Sequence, residues 1–478
     1  MQWLLVAEWL LALFVLTAVG APLAAWLFPT FPRKGAAFAL PVSLLAVALV
    51  VFWIGQVTYG LHAVLGAIFV VAGLSGLALV RGVRPDWRAV SGGFGVFAVG
   101  FLVLVVFRAS DPTIIPQAGE KFLHFGLTKA LWRAPALPPE DFWFAGEPLR
   151  YYYGTQLQVT SLSMLTGTPL RFGYNLAHPV FYGVLFVSAY GLVGAVVESA
   201  DYSRRLGGLL GAFFVAVGGA STTALRLLVG QLPEDLATTV GQPVFGFAAS
   251  RYGIPLAEFI AQQGSLDGWS WWYTRYVVPG TLQEFPFYAL IKGDLHGHAL
   301  STGYVVLAAA LAYSYYRLPA ERRRRRLAVL LGGLGVVAGV FGFMNTWSLP
   351  TAVGLAWLAV AAADAHPATL FPDGVAKRLR GPDASPDSGW GARLGSECWR
   401  HRRRRPRRSP GLPVPCVRPR AHERGRRPLP AALAPAALPR HLWGDPHPNR
   451  HVPARQESTG TGAGADVAGR RRRGPLSR

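Results

Sequence analysis

The sequence predicts an all-α, multi-pass protein of the cell membrane with about nine transmembrane helices and two long extracytoplasmic loops. Three observations predict it. Apolar residues make up 51% of the 478 and charged residues only 15%, with a mean hydropathy of +0.30, which excludes a soluble multi-domain enzyme. Apolar runs recur along most of the chain, and basic clusters fall in every second connection between them. The formal net charge of +22 would by itself suggest a nucleic-acid binder. Its distribution argues against that partner, because residues 381–478 carry 21 basic and 7 acidic residues, a net of +14.

Taken in order, the apolar runs cover approximately residues 3–27, 36–54, 61–80, 91–107, 174–197, 206–229, 298–316, 327–343 and 350–363. Most approach the roughly 17–25 residues that a helix needs to cross hydrocarbon, and a helix satisfies its own backbone there. The last is the shortest. The first has no basic leader and reads as a retained span rather than a signal peptide. Arg33 and Lys34 follow the first run, Arg81, Arg84 and Arg88 the third, Arg204 and Arg205 the fifth, and Arg322 to Arg326 the seventh. With those connections in the cytoplasm, the N-terminus and segments 108–173, 230–297 and 344–349 face outward.

The chain divides into residues 1–376, a membrane domain incomplete at its C-terminal end, and residues 377–478, of different chemistry. Beyond Phe371 there is no Phe or Tyr, every base after Arg380 is Arg, and residues 377–478 hold 15 of the 37 prolines and both cysteines (Cys398, Cys416). Such a segment cannot bury enough apolar surface to offset its chain entropy, so it is expected to be disordered. Arg, Pro, Ala and Gly are the residues of GC-rich codons. The segment therefore reads as coding sequence translated out of frame, with the change between about Lys377 and Arg400; a genuine basic tail that meets anionic lipid or RNA is the alternative.

The two long outer segments hold the chemistry. The first offers Asp111, Glu120, Lys121, His124, the pair Glu140 and Asp141, and Arg150 before the run Tyr151, Tyr152 and Tyr153. Residues 121–133 are expected to form an interfacial amphipathic helix, broken by Pro138 and Pro139. Asp111, just past a span, could act as a general base or meet a lipid phosphate through a metal, although a solvated loop carboxylate would look the same. The tyrosines could equally belong to an interfacial aromatic belt.

The second segment ends in the stretch Gly293 to His298, with Arg275, Glu284 and Lys292 ahead of it. Asp294, His296 and His298 stand at i, i+2 and i+4, so an extended or turning backbone brings all three to one side. Two imidazoles and a carboxylate could hold a divalent ion such as Mg²⁺, Mn²⁺ or Zn²⁺, or act in proton transfer or substrate binding; helix-end histidines that only hydrogen-bond are the structural alternative. Arg275 and Lys292 suit a phosphate. Asn345, Trp347 and Ser348 form a third polar spot. No phosphate-binding glycine motif or zinc-ribbon spacing occurs, so no nucleotide cofactor is expected.

The pieces EKFLHFG, PPEDFWFAGEPLRYYYG, SWWYTRYVVPGT, QEFPFYALIKGDLHGHAL and NTWSLPT together resemble the YYY family of very hydrophobic membrane proteins from archaea and Chloroflexi-like bacteria, over roughly residues 1–376. His124 stands where that family commonly has Asp, and Ser348 where Asp usually follows the Asn-Thr-Trp motif. The family in turn resembles the C-type glycosyltransferases, which take sugar from a polyprenyl-phosphate donor. The resemblance implies Asp111, Glu140, Asp141 and Asp294 as candidate acids or bases and Asp294, His296 and His298 as holders of metal or donor phosphate. It further implies Arg275 and Lys292 as partners of the leaving phosphate, and Tyr151, Tyr152 and Tyr153 as stacking or lipid-bordering groups. The expected function is sugar transfer from a lipid-linked donor to an unknown acceptor, with membrane lipid as a partner. A transporter or flippase for a lipid-linked or anionic substrate, and a non-catalytic assembly protein, are the alternatives.

Overall fold

A computed structural model describes residues 3–114, 120–262, 275–281, 283–380 and 385–386. Among them every regular element is helical, apart from one isolated bridge between Glu140 and Pro148. Nearly all of the segment 377–478, with both cysteines, lies outside the described residues.

Among the described residues six helical segments are long and apolar enough to cross a membrane: α1 (Trp3–Leu27), the segment Pro32–Gly55 ending in α2 (Ala39–Gly55), α3 (Leu61–Val80), α4 (Trp87–Ser110), and then, beyond α5 (Lys121–Arg133) and α6 (Gly154–Leu165), α7 (Leu170–Glu198) and the segment Ala320–Met344. The expectation of about nine spans is therefore corrected to six, or seven if one bent pair counts as a span. The run 206–229 folds as α8 (Arg204–Ala216) and α9 (Ser221–Val229), bent by 83° where Gly218 and Gly219 interrupt the helix. The run 298–316 breaks at Ser301 into four-residue and 15-residue helices. The longer piece reaches only about 22 Å at the usual rise, short of a hydrocarbon core of about 30 Å. The run 350–363 is likewise a helix of only 14 residues. Uniform apolarity sets no helix length; the Gly and Ser breaks do.

After α9, α10 (Glu234–Tyr252) and α11 (Leu256–Gln262) close a small apolar cluster with it around Phe245, Phe259 and Ile260. Then follow α12 (Pro286–Ile291), α13 (Gly297–Leu300), α14 (Thr302–Tyr316), α15 (Arg323–Leu327), a π-helical stretch, α16 (Gly335–Met344), α17 (Leu349–Ala362) and α18 (Asp373–Arg380). The long α7 packs against α4, α8 and α14, and α1 against α2 and α3. Gly183 on α7 and Gly100 on α4 let the two backbones touch: a Cβ at either would come within 3.0 Å of a phenylalanine on the other helix. Small residues at crossings are how helices associate where lipid removes the hydrophobic drive.

The bundle's two ends differ in charge. At one end Arg33 lies 3.5 Å from Asp86, Lys34 Nζ donates to the Arg84 carbonyl at 2.6 Å, and Arg204 lies 3.7 Å from Glu198. Arg325, which donates to the Trp26 carbonyl, belongs to the same end. The other end holds the last turn of α4, α5, the start of α7, α12 and α13, joined by the contacts described next. The basic groups that follow the first, third, fifth and seventh apolar runs thus share one end of the bundle.

Candidate functional site

Helix α5 occupies the predicted boundaries, but it packs one face inward rather than lying free: Lys121, His124, Leu127 and Leu131 are buried while Phe122 is exposed. Glu120 and His124, one turn apart, meet the Gly293–His298 loop. The loop begins at Gly293 with φ of +75°, where a Cβ would come within 2.6 Å of Arg108 Nη1. Glycine is needed here twice over, for the left-handed turn and for contact with a buried guanidinium. Arg108 donates to the Ile291 carbonyl and to Asn175 Oδ1, tying α4 and α7 to the loop. A tight turn from His296 N to the Asp294 carbonyl then aims both side chains at α5.

Glu120, His124 and His296 present ligand atoms that all lie within 4.8 Å of one another, a candidate three-ligand site for a divalent cation. Glu120 Oε2 is 3.2 Å from His296 Nε2 and 3.6 Å from His124 Nε2. Asp294, 2% exposed, stands behind them: Oδ2 accepts from the Glu120 backbone N–H at 2.9 Å and from His296 Nδ1 at 3.2 Å, with Lys292 Nζ at 3.6 Å. This is the carboxylate–histidine support common behind metal ligands. His124 Nε2 and Asp294 Oδ1 are buried without a hydrogen-bond partner, 3.4 Å apart. A cation beside them would satisfy both, so the residues present fit a metal. Two imidazoles with one carboxylate favour Zn²⁺ or Mn²⁺ over Mg²⁺.

The protons are set by burial and neighbours. Burial pushes the His124 imidazole down to about 4 despite the Asp294 charge, so the ring is neutral at pH 7. Burial opposes ionisation of Asp294, but its hydrogen bond from His296, the histidine charges and the Glu120 N–H prevail and hold it at about 2. His296 moves the other way: burial disfavours its charge, yet the bond to Asp294 and the Asp294 and Glu120 charges raise it above the ordinary value. Gln156 on α6 chooses the His124 tautomer. Its Nε2 donates to the Leu295 carbonyl and to His124 Nδ1, each at 3.0 Å, which leaves the ring proton on Nε2. A cation held at Nε2 would require the ring proton on Nδ1, where the Gln156 side-chain oxygen could accept it if the amide were turned over.

The structure thus brings Asp294 and His296 together, and His298 keeps its ring 4.6 Å from that of His296 but pairs with a different carboxylate. That imidazole, nearly half exposed, is 3.2 Å from Glu284 Oε2, whose other oxygen lies 3.2 Å from Lys292 and 3.4 Å from Arg275. The His298 bond leads in holding Glu284 down at about 2, against burial and together with the Lys292 charge. Arg275 and Lys292 are therefore already matched by a carboxylate. Asp111 is exposed, and Thr113 Oγ1 donates to it. Glu140 and Asp141 cap their own turn, accepting from the backbone N–H groups of Gly146 and Trp143 at 2.7 and 2.8 Å. The Tyr triplet divides: Tyr151 and Tyr152 stack at 4.1 Å, Tyr152 lies against Gly297, and Tyr153 is core. Asn345 ties Ser301 and Ser348 together at 2.9 and 2.7 Å. Sequence reasoning assigned Glu120, His124 and Gln156 no role at a metal; the visible sign for the first two was their i, i+4 spacing on a helix start.

The profile of a family described as "Uncharacterized membrane protein (DUF2298)" matches residues 46–399. That match begins later and ends later than the resemblance over residues 1–376, and its end falls inside the window of the composition change. Neither curated proteins nor solved structures yield a match to the chain.

Proposed function

The chain belongs to this family of uncharacterised membrane proteins, and from that premise we propose that it is a membrane-embedded, metal-assisted glycosyltransferase that takes sugar from a polyprenyl-phosphate donor. The observation that carries the reading is the Glu120–His124–His296 cluster with ionised, buried Asp294 behind it, at the end of the bundle opposite the arginine clusters. Basic connections mark the cytoplasmic side, so the cluster would face the extracytoplasmic head groups, where a lipid phosphate and its sugar lie. Polar groups that serve transport tend to collect midway across the membrane.

Transfer requires the acceptor oxygen to bond the anomeric carbon as the bond from that carbon to the phosphate oxygen breaks; the electron pair leaves on phosphate and the acceptor proton needs a base. A bound cation would neutralise the departing phosphate. Asp111, exposed and oriented by Thr113, is the base candidate; the Thr113 hydroxyl first, against burial, and then the Thr113 backbone N–H and the Arg108 and Lys121 charges keep it ionised. Asp294 is too buried to touch substrate and acts as a positioning residue for His296. The exposed Tyr151 and neighbouring Tyr152 offer a stacking face for a sugar.

The test is transfer of radiolabelled sugar from a polyprenyl-phosphate donor by protein reconstituted in vesicles. Glu120→Gln and Asp111→Asn are each expected to lower the rate at least about a hundredfold with folding retained. Full transfer by both folded variants would overturn the assignment, and absence of donor binding by the wild type would overturn the reaction.

A further inference from the structure

At the opposite end of the bundle, between the start of α4, the end of α7 and the start of α8, lies a cavity of about 540 Å³ lined by Arg33, Arg88, Arg204 and Arg205 against a single carboxylate, Asp86, with Tyr190 on its wall. We propose that it binds the phosphate of an anionic lipid headgroup. Asp86 engages Arg33 at 3.5 Å, and Glu198, outside the cavity, engages Arg204 at 3.7 Å. Arg88 and Arg205 have no carboxylate within 4 Å among the described residues, so their charge is available to an anion.

Three further features agree. Helices α4 and α8 both begin at the cavity, with caps at Asp86 and Ser203, and their N-terminal N–H groups add positive potential there. The wall segment Arg33, Lys34 and Gly35 holds φ of 52°, 51° and 65°, a left-handed run in which two residues carry side chains. Such strain persists where the surroundings fix it, commonly at ligand clamps; here Lys34 is fixed by its bond to the Arg84 carbonyl. The neighbouring arginines are engaged differently: Arg323, Arg325 and Arg326 donate to Leu370, Trp26, Thr369 and Tyr315 and thereby hold the chain together.

The apolar side of α8 selects a lipid over a free anion. Immediately after Arg204 and Arg205, Leu206, Leu209 and Phe213 are exposed at 59%, 52% and 44%, a surface for an acyl chain below a headgroup held by the arginines. Basic pockets between membrane helices take anionic head groups in this manner.

The full chain, purified in detergent, is titrated with phosphatidylglycerol, phosphatidylcholine or inorganic phosphate, and retained adducts are counted by native mass spectrometry alongside the melting temperature. Phosphatidylglycerol is expected to be retained with about tenfold preference or more over phosphatidylcholine, and to raise the melting temperature. The double variant Arg88→Gln/Arg205→Gln is expected to lose that preference, while Arg324→Gln, an exposed arginine away from the cavity, keeps it. If the double variant fails to fold, Gly92→Phe replaces it: Gly92 lines the cavity, a Cβ there meets nothing within 4 Å, and a large side chain should block the headgroup with every arginine intact. Equal retention of the two lipids, equal protection by inorganic phosphate, or equal loss in Arg324→Gln would each overturn the proposal. None of these variants touches the Glu120 cluster, so the result is separate from the fate of the transferase reading.

Discussion

Replacing Asp294 by Asn tests the support of the cluster, because it removes one buried charge while keeping size and the acceptor for the Glu120 N–H. The Asp294 carboxyl is held at about 2 against an ordinary value of 3.8, by the His296 bond and histidine charges against burial. With the side chain 2% exposed, that difference corresponds to about 2 kcal/mol of folding stability at neutral pH. A carboxyl depressed in the folded state contributes fully above pH 3.8, and its contribution fades as pH falls toward 2. Asp294→Asn should therefore lose about 2 kcal/mol at pH 7 and show a smaller further loss on acidification over that window. Lys292 keeps Glu284 at 3.2 Å, which confines the damage. The assay is denaturant or thermal unfolding of metal-free protein in detergent between pH 2 and 8, with exposed Asp111→Asn as the control, expected within about 0.5 kcal/mol of wild type. Equal stability and an unchanged acid limb in Asp294→Asn would refute the reasoning.

The buried neutral imidazole of His124, at about 4 instead of 6.5, makes metal-free protein lose stability as pH falls from 6.5 toward 4; His124→Asn should flatten that limb in the same unfolding series. His296 has the opposite sign, since its raised value gives stability present below pH 6.5 and lost as pH rises through its folded value; His296→Asn should remove a loss on the alkaline side of 6.5. Gly293→Ala forces a Cβ against Arg108 at φ +75° and should destabilise by about 1–3 kcal/mol in thermal unfolding. Glu120 is 52% exposed, so Glu120→Gln should weaken Zn²⁺ binding in calorimetry about tenfold or more while leaving the melting temperature nearly unchanged.

Much of the fold was legible because it rests on composition. The runs at 3–27, 61–80 and 91–107 became α1, α3 and α4, and the α5 boundaries Lys121–Arg133 follow from its polar face and the prolines beyond it. The span count was not, since hydropathy sums ignore that Ser301 and the Gly218–Gly219 pair break helices inside apolar runs. The site was half legible. The D-x-H-x-H spacing located the loop, but spacing cannot say that His298 turns to Glu284 while His296 turns to Glu120 across a separation of 176 residues. Arg275 and Lys292 looked like free cations only because their shared carboxylate, Glu284, becomes a partner through folding. Gln156 carried no signal, being one of two glutamines among the Thr and Ser of α6 until the Leu295 carbonyl and His124 are brought to it.

The most direct measurement of the central claim is the metal content of the full chain after loading with Zn²⁺ or Mn²⁺ and gel filtration, compared with Glu120→Gln/His296→Ala. The account predicts about one ion per wild-type chain and almost none in the folded double variant. A wild-type chain that retains no ion, or a double variant that retains as much as wild type, would contradict it.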